Sequence, residues 1–129
     1  MIKIQELLKI ENEDLFLKYL ELFRNKKVSE ESKLRLHYFI KNLKVGTENQ
    51  KEKFMYYYNI MPGNYTAKSY TEIAREYKCS STYIRSAIRQ YLTWIKTRQT
   101  EKELEKFEKI VNTTRYKNGR TINFNKLMK

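Results

Sequence analysis

The 129-residue chain is long enough for one domain, or one domain with a small appended helical segment, and too short for a second large core. Its 27 Lys and Arg against 15 Asp and Glu leave a net charge of +12, which attracts polyanions: nucleic acid first, an anionic membrane surface as the rival. No apolar run of about 18 residues exists to span a bilayer, the N-terminus lacks a signal peptide's apolar stretch, and one Cys and one His neither form an internal disulfide nor supply a metal site, so a cytoplasmic protein with no cofactor, no metal and no membrane partner is expected.

Apolar residues are 40% of the chain and recur with helical period, while three Gly and one Pro leave few helix breakers. A short helix is predicted over residues 2–10. Residues 12–25 place Leu15, Phe16, Tyr19, Leu20, Leu22 and Phe23 on one helical face. Ser29 caps the next helix, Glu30 and Glu31 suit its first turn, and Leu34, Leu36, Tyr38, Phe39, Ile40 and Leu43 form its inner side before Gly46 ends it. The two read as a helical hairpin.

A third unit starts near Thr47, carries Phe54, Met55, Tyr57, Tyr58 and Ile60, and stops at Pro62 and Gly63. After a small polar loop to Ser69, helices follow over 70–77 and from Ser81 to about Lys96. Apolar period lapses over 96–101, and Thr100 with Glu103 has the capping-box pattern for a new helix bearing Leu104, Phe107, Ile110 and Val111. Beyond Asn112, Asn118-Gly119 sits between segments that could pair as a small C-terminal β-hairpin; a basic tail that orders only on a partner is the alternative. Three regions result: a helical hairpin over 1–46 for interaction or dimerisation, a central unit over 47–99, and a C-terminal helix with basic tail over 100–129.

The segment Ser69 to Leu92 carries the chemistry. Two short helices crossing steeply need a small residue, and Ala74 stands there beside Ile73, while Tyr77 and Cys79 bracket the turn and Ile84, Ala87 and Ile88 give the second helix its inward stripe. Ser80 is a good N-cap whose hydroxyl and first free amides can also face a phosphate. On the outward face Ser81, Arg85 and Arg89 stand at four-residue spacing with Thr82, Tyr83 and Ser86 beside them. Arg forks onto guanine edges or phosphates, and hydroxyls donate to either. No acid occurs from Tyr77 through Thr100, where Lys78, Arg85, Arg89, Lys96 and Arg98 lie.

These residues resemble the fourth conserved region of bacterial sigma factors and the small sigma-like regulators built on it. The likeness covers about Glu48 to Ile95, with Lys51-Glu-Lys-Phe-Met-Tyr-Tyr-Tyr58 as the first helix and Tyr70-Thr-Glu-Ile-Ala-Arg-Glu-Tyr77 and Ser80-Ser-Thr-Tyr-Ile-Arg-Ser86 as the two terminal helices. It implies an all-α bundle around a central helix-turn-helix, binding to a promoter element and contact with RNA polymerase. It puts base reading on Ser81, Thr82, Arg85 and Ser86, and backbone contact on Ser69 and Tyr70.

The chain departs from that pattern in three places. Lys78 stands where Gly or Asn more easily turns left-handed, so a strained or altered turn is expected. Ser81, Thr82 and Ser86 replace the usual Arg, Glu and Gln, leaving Arg85 as the one strong base reader. Residues 1–46 hold no polymerase-binding second region, which favours a compact regulator, phage or mobile-element encoded, over a complete sigma factor.

The expected function is therefore a sequence-specific regulator that binds double-stranded DNA, with Arg89 and Lys96 on phosphates. The alternative is an adaptor that holds RNA polymerase or another regulator without reading sequence. RNA binding through tyrosines and basic tail is a third reading. Tyr56, Tyr57, Tyr58 and Trp94 are read as packing residues, Cys79 as a buried turn residue and His37 as a helix-surface or core residue. The sole His lies in a different helical unit from Cys79 and the serines of the turn, no phosphate-cradling Gly-rich loop exists, and Glu101, Glu103 and Glu105 sit among lysines on a charged helix face, so no enzyme is expected.

Overall fold

The computed structural model describes residues 1–10, 13–63 and 66–128. Glu11, Asn12, Asn64, Tyr65 and Lys129 lie outside the described residues, and with them the first residue of the helix predicted over 12–25 and the middle of the loop before Ser69. The helices are α1 (Ile4–Leu8), α2 (Glu13–Arg24), α3 (Glu30–Lys41), α4 (Glu48–Tyr58), α5 (Tyr70–Tyr77), α6 (Ser81–Arg98), α7 (Glu101–Thr113) and α8 (Phe124–Leu127). The described residues are mostly helical and contain no sheet, so the chain is all-α.

Local chemistry sets the helix boundaries. Ser29, Ser69, Ser80 and Thr100 each accept the backbone N–H three residues on. At Thr47, Ser69 and Thr100 a Gln or Glu side chain reaches back to complete a capping box. Three helices end with a non-glycine residue in the left-handed region, Lys26 (φ 58°), Asn59 (φ 59°) and Lys78 (φ 54°). In each case the next residue's N–H bonds a carbonyl five positions back: Lys27 to Leu22, Ile60 to Met55 and Cys79 to Ala74. This closure satisfies orphan carbonyls and offsets the roughly 1–2 kcal/mol that left-handed backbone costs an L-residue.

Helix α6 packs on α4 and α5, α7 turns back at Gln99 onto α1 and α3, and α8 rests on α2. One continuous apolar core results, in which Phe107 meets Phe16 edge-on at 6.0 Å and stacks on Phe39 at 5.2 Å. Tyr19, fully buried, lies 2.7 Å from the Thr114 hydroxyl, which itself donates to the Ile110 carbonyl; Tyr19 is therefore the donor.

Two predicted details change. The buried stripe of α3 is Ser32, Lys33, Leu36, His37 and Ile40, so the helix is rotated from the expected face and Tyr38 stands 53% exposed. Lys33 is accommodated inside because its ammonium donates to the Gly63 carbonyl at 2.8 Å and pairs with Glu30 at 3.0 Å.

Residues 114–128 form neither a strand ladder nor a free tail. Single antiparallel bridges join Arg115 to Thr121 and Tyr116 to Val28, Lys117 N–H donates to the Lys27 carbonyl, and Ile122 and Phe124 are buried in the core.

Candidate nucleic-acid interface

Helix α6 is anchored from beneath. Ile84, Ile88, Tyr91, Leu92 and Ile95 are buried, Tyr91 meets Phe54 edge-on at 5.3 Å, and its hydroxyl donates to the Val45 carbonyl at 3.0 Å. From α5 come Ile73 and Ala74, both buried. Each fully buried Ile contributes roughly 1.5–3 kcal/mol, so the opposite face of α6 is presented in a fixed orientation.

That opposite face is exposed at Ser81, Thr82, Tyr83, Arg85, Ser86 and Arg89. Neither Arg85 nor Arg89 forms an ion pair among the described residues. The Ser80 hydroxyl is committed to capping, accepting Tyr83 N–H at 3.1 Å, and α6 has no acid in its first turn. Its opening amides therefore meet an approaching anion with the positive end of the helix and no competing carboxylate.

The start of α5 differs. Ser69 Oγ accepts Glu72 N–H at 3.2 Å while its own N–H donates to the Glu72 carboxylate at 3.3 Å, so an anion already occupies this helix end. Tyr70 is half-buried and stacks on Tyr57. Burial, then its hydrogen bond with Tyr57, pushes the Tyr70 hydroxyl up to about 12, with Arg89 and Arg85 pulling in the other direction. Beside it a cleft of about 430 Å³ opens between Tyr57, Tyr70, Glu21, Arg89 and Leu92.

Two expectations about this surface need correction. Lys96, expected on phosphates, has its ammonium nitrogen shielded from solvent and 5.7 Å from the centre of the Phe16 ring; the long alkyl stem carries the charge inward rather than out. Cys79 is half-buried rather than buried, packed against the edge of the core in the turn that follows the left-handed Lys78. Lys78 adopts the left-handed conformation at φ 54°, so the turn takes a three-residue form without Gly or Asn and carries the backbone strain expected there. Trp94 is half-buried against the core with Arg98 4.5 Å over its ring.

Two residues outside the predicted set shape this surface. Arg24 donates to the carbonyls of Tyr57 at 2.5 Å and Lys68 at 3.1 Å, tying the end of α2 to the approach of α5. Lys53 sits 5.2 Å over the exposed Tyr83 ring. A basic residue closing a helix was the only sequence signal for Arg24, and nothing in the spacing marks Lys53.

Compared with protein-family models, curated proteins and solved structures, the chain has no significant match. Among the described residues no helix is long and apolar enough to cross a membrane.

Proposed function

We propose that the protein is a sequence-specific regulator that binds double-stranded DNA, with α4–α6 acting as a helix-turn-helix of the sigma region 4 kind and α6 as its reading helix. The observation that carries this is the α6 face itself: Ser81, Arg85 and Arg89 exposed in line, no acid from Tyr77 to Thr100, and a fully buried face opposite. Arg85 meets base edges in the major groove, Arg89 and the opening amides of α6 meet phosphates, and Ser81, Thr82 and Ser86 donate to whichever acceptor lies opposite. Promoter action together with RNA polymerase, through the N-terminal helices, belongs to the same reading.

Selection of duplexes from a random library, followed by titration of the winner, tests it. Wild type enriches a motif; Arg85→Ala costs roughly 1–3 kcal/mol and relaxes preference at one or two positions. A library that enriches nothing, with Arg85→Ala and wild type binding all duplexes alike, removes sequence reading. The adaptor reading then stands, favoured by the small side chains at Ser81, Thr82 and Ser86.

A further inference from the structure

The exposure of Tyr38 follows from the rotation of α3 and opens a groove between α3 and α7. Its volume is about 380 Å³, within the roughly 300–1,000 Å³ of ligand-holding clefts. The floor is apolar, formed by Tyr38, Phe39, Leu43 and Ile110; Arg35, Lys106 and Lys109 stand around it. One carboxylate, Glu103, lies in the lining, and two backbone amides already occupy it, Thr100 N–H at 2.9 Å and Lys44 N–H at 3.0 Å. Lys106 and Lys109 form no ion pair among the described residues, whereas Arg35 shares its charge with Glu31 at 2.7 Å.

An apolar floor inside a cationic rim selects an occupant that is apolar at its centre and acidic at its edge. Phosphate backbone satisfies the rim and leaves the floor wet. A second copy of this chain brings another +12; its acidic stretch 101–108 alternates with Lys102 and Lys106, and the apolar residues that follow its acidic stretch 11–14, Leu15 and Phe16, are buried in its own core. We propose that the α3–α7 groove docks an acidic amphipathic segment of another protein. A pair of apolar side chains one helical turn apart fills the floor while flanking carboxylates meet Lys106, Lys109 and Arg35. No lining residue belongs to α5 or α6, so this site is separate from the proposed DNA face and does not rest on it.

Fluorescence anisotropy on the full chain tests the assignment with labelled peptides of about twelve residues, one carrying Leu and Phe a helical turn apart among Glu and Ala, the other of equal charge with both replaced by Ala. The first peptide binds at least about tenfold more tightly than the second. Lys106→Glu with Lys109→Glu removes about tenfold or more of that affinity, Tyr38→Ala weakens it several-fold, and Arg85→Ala leaves it unchanged. The substituted residues are exposed, and an unchanged melting temperature confirms intact folding. Equal binding of the two peptides overturns the proposal, as does indifference to the double charge reversal. A double variant that loses duplex DNA while keeping the peptide assigns the rim to nucleic acid instead. Sedimentation that shows self-association abolished by the same variant assigns the groove to a second copy.

Discussion

Tyr57 at the end of α4 and Tyr70 at the start of α5 stack face to face, their ring centroids 4.2 Å apart and their planes 2° from parallel. The Arg24 guanidinium lies 4.0 Å over the Tyr57 ring, and at these distances the two groups must take opposite faces. Three helices thus meet at one ring, next to the start of α5 within the proposed DNA-binding unit.

Replacing Tyr70 by Ala removes that stack, worth roughly 0.5–1.5 kcal/mol beyond the apolar area lost. Urea denaturation is expected to show Tyr70→Ala about 1–3 kcal/mol less stable, with weaker duplex binding because the start of α5 loses its brace. Tyr70→Phe keeps the ring and stays close to wild type in stability. An equal loss in both variants would transfer the effect from the stack to the hydroxyl.

Lys96 and Arg89 are both cationic residues of α6, yet only Arg89 faces solvent. Lys96→Met preserves the stem that packs inward and is expected to leave DNA affinity and its salt dependence within experimental scatter. Arg89→Ala is expected to weaken all duplexes alike and lower the salt slope by about one. Binding isotherms at four salt concentrations check both. A reduced slope in Lys96→Met would return that ammonium to the interface.

The contrast between these two cations marks where sequence reading stops. Helix positions were legible because apolar period and caps are local: Ser29, Ser80 and the Thr100–Glu103 pair each declare a helix start within four residues. Which face of a helix turns inward is a tertiary property. On α3, Lys33 and His37 are buried and Tyr38 is not, because carbonyls of the chain after α4 satisfy the polar groups: Gly63 for Lys33, Ile60 for His37. Net charge misleads for the same reason, since Lys33, Lys51 and Lys53 are also buried; the Lys51 ammonium donates to the Lys41 and Leu43 carbonyls at the end of α3. On the exposed face of α6, the alignment of Arg85, Arg89 and their hydroxyl neighbours was legible from four-residue spacing alone, whereas Arg24 acts through contacts 33 and 44 residues away.

His37 supplies a pH dependence. Its Nδ1 lies 2.8 Å from the Ile60 carbonyl, to which it must donate. Burial, the largest influence, holds its pKa below the ordinary 6.5; donation to Ile60 opposes this, and Lys41 and Lys33 add to the depression. As pH falls below about 6.5 the unfolded chain therefore takes up a proton before the folded one. The stabilisation is complete above that value and is lost progressively on acidification toward the folded pKa. Urea midpoints compared between about pH 7.5 and 5.5 should fall for wild type and fall less for His37→Gln, whose amide can still donate to Ile60. Parallel curves would assign the acid sensitivity to other groups.

Gly46 and Gly119 separate two ways in which a glycine resists substitution. Both sit at nearly the same backbone angle, φ +87° and +86°, so Ala at either position pays the strain of a conformation that L-residues avoid, of order 1–3 kcal/mol. Around Gly119 nothing lies within 4 Å of an added methyl, whereas at Gly46 that methyl would fall 2.4 Å from Cε1 of Tyr91. Tyr91 cannot easily yield, being buried against Phe54 and tied by its hydroxyl to Val45, one residue before Gly46. Gly119→Ala should therefore show the strain alone, and Gly46→Ala should lose about 2 kcal/mol more, in line with overpacking of a closed core. Because Tyr91 belongs to the buried stripe of α6, the displacement should also weaken duplex binding in Gly46→Ala and leave it intact in Gly119→Ala. Thermal melts and binding isotherms on the two variants decide the matter; equal destabilisation would mean that the Tyr91 ring moves aside freely.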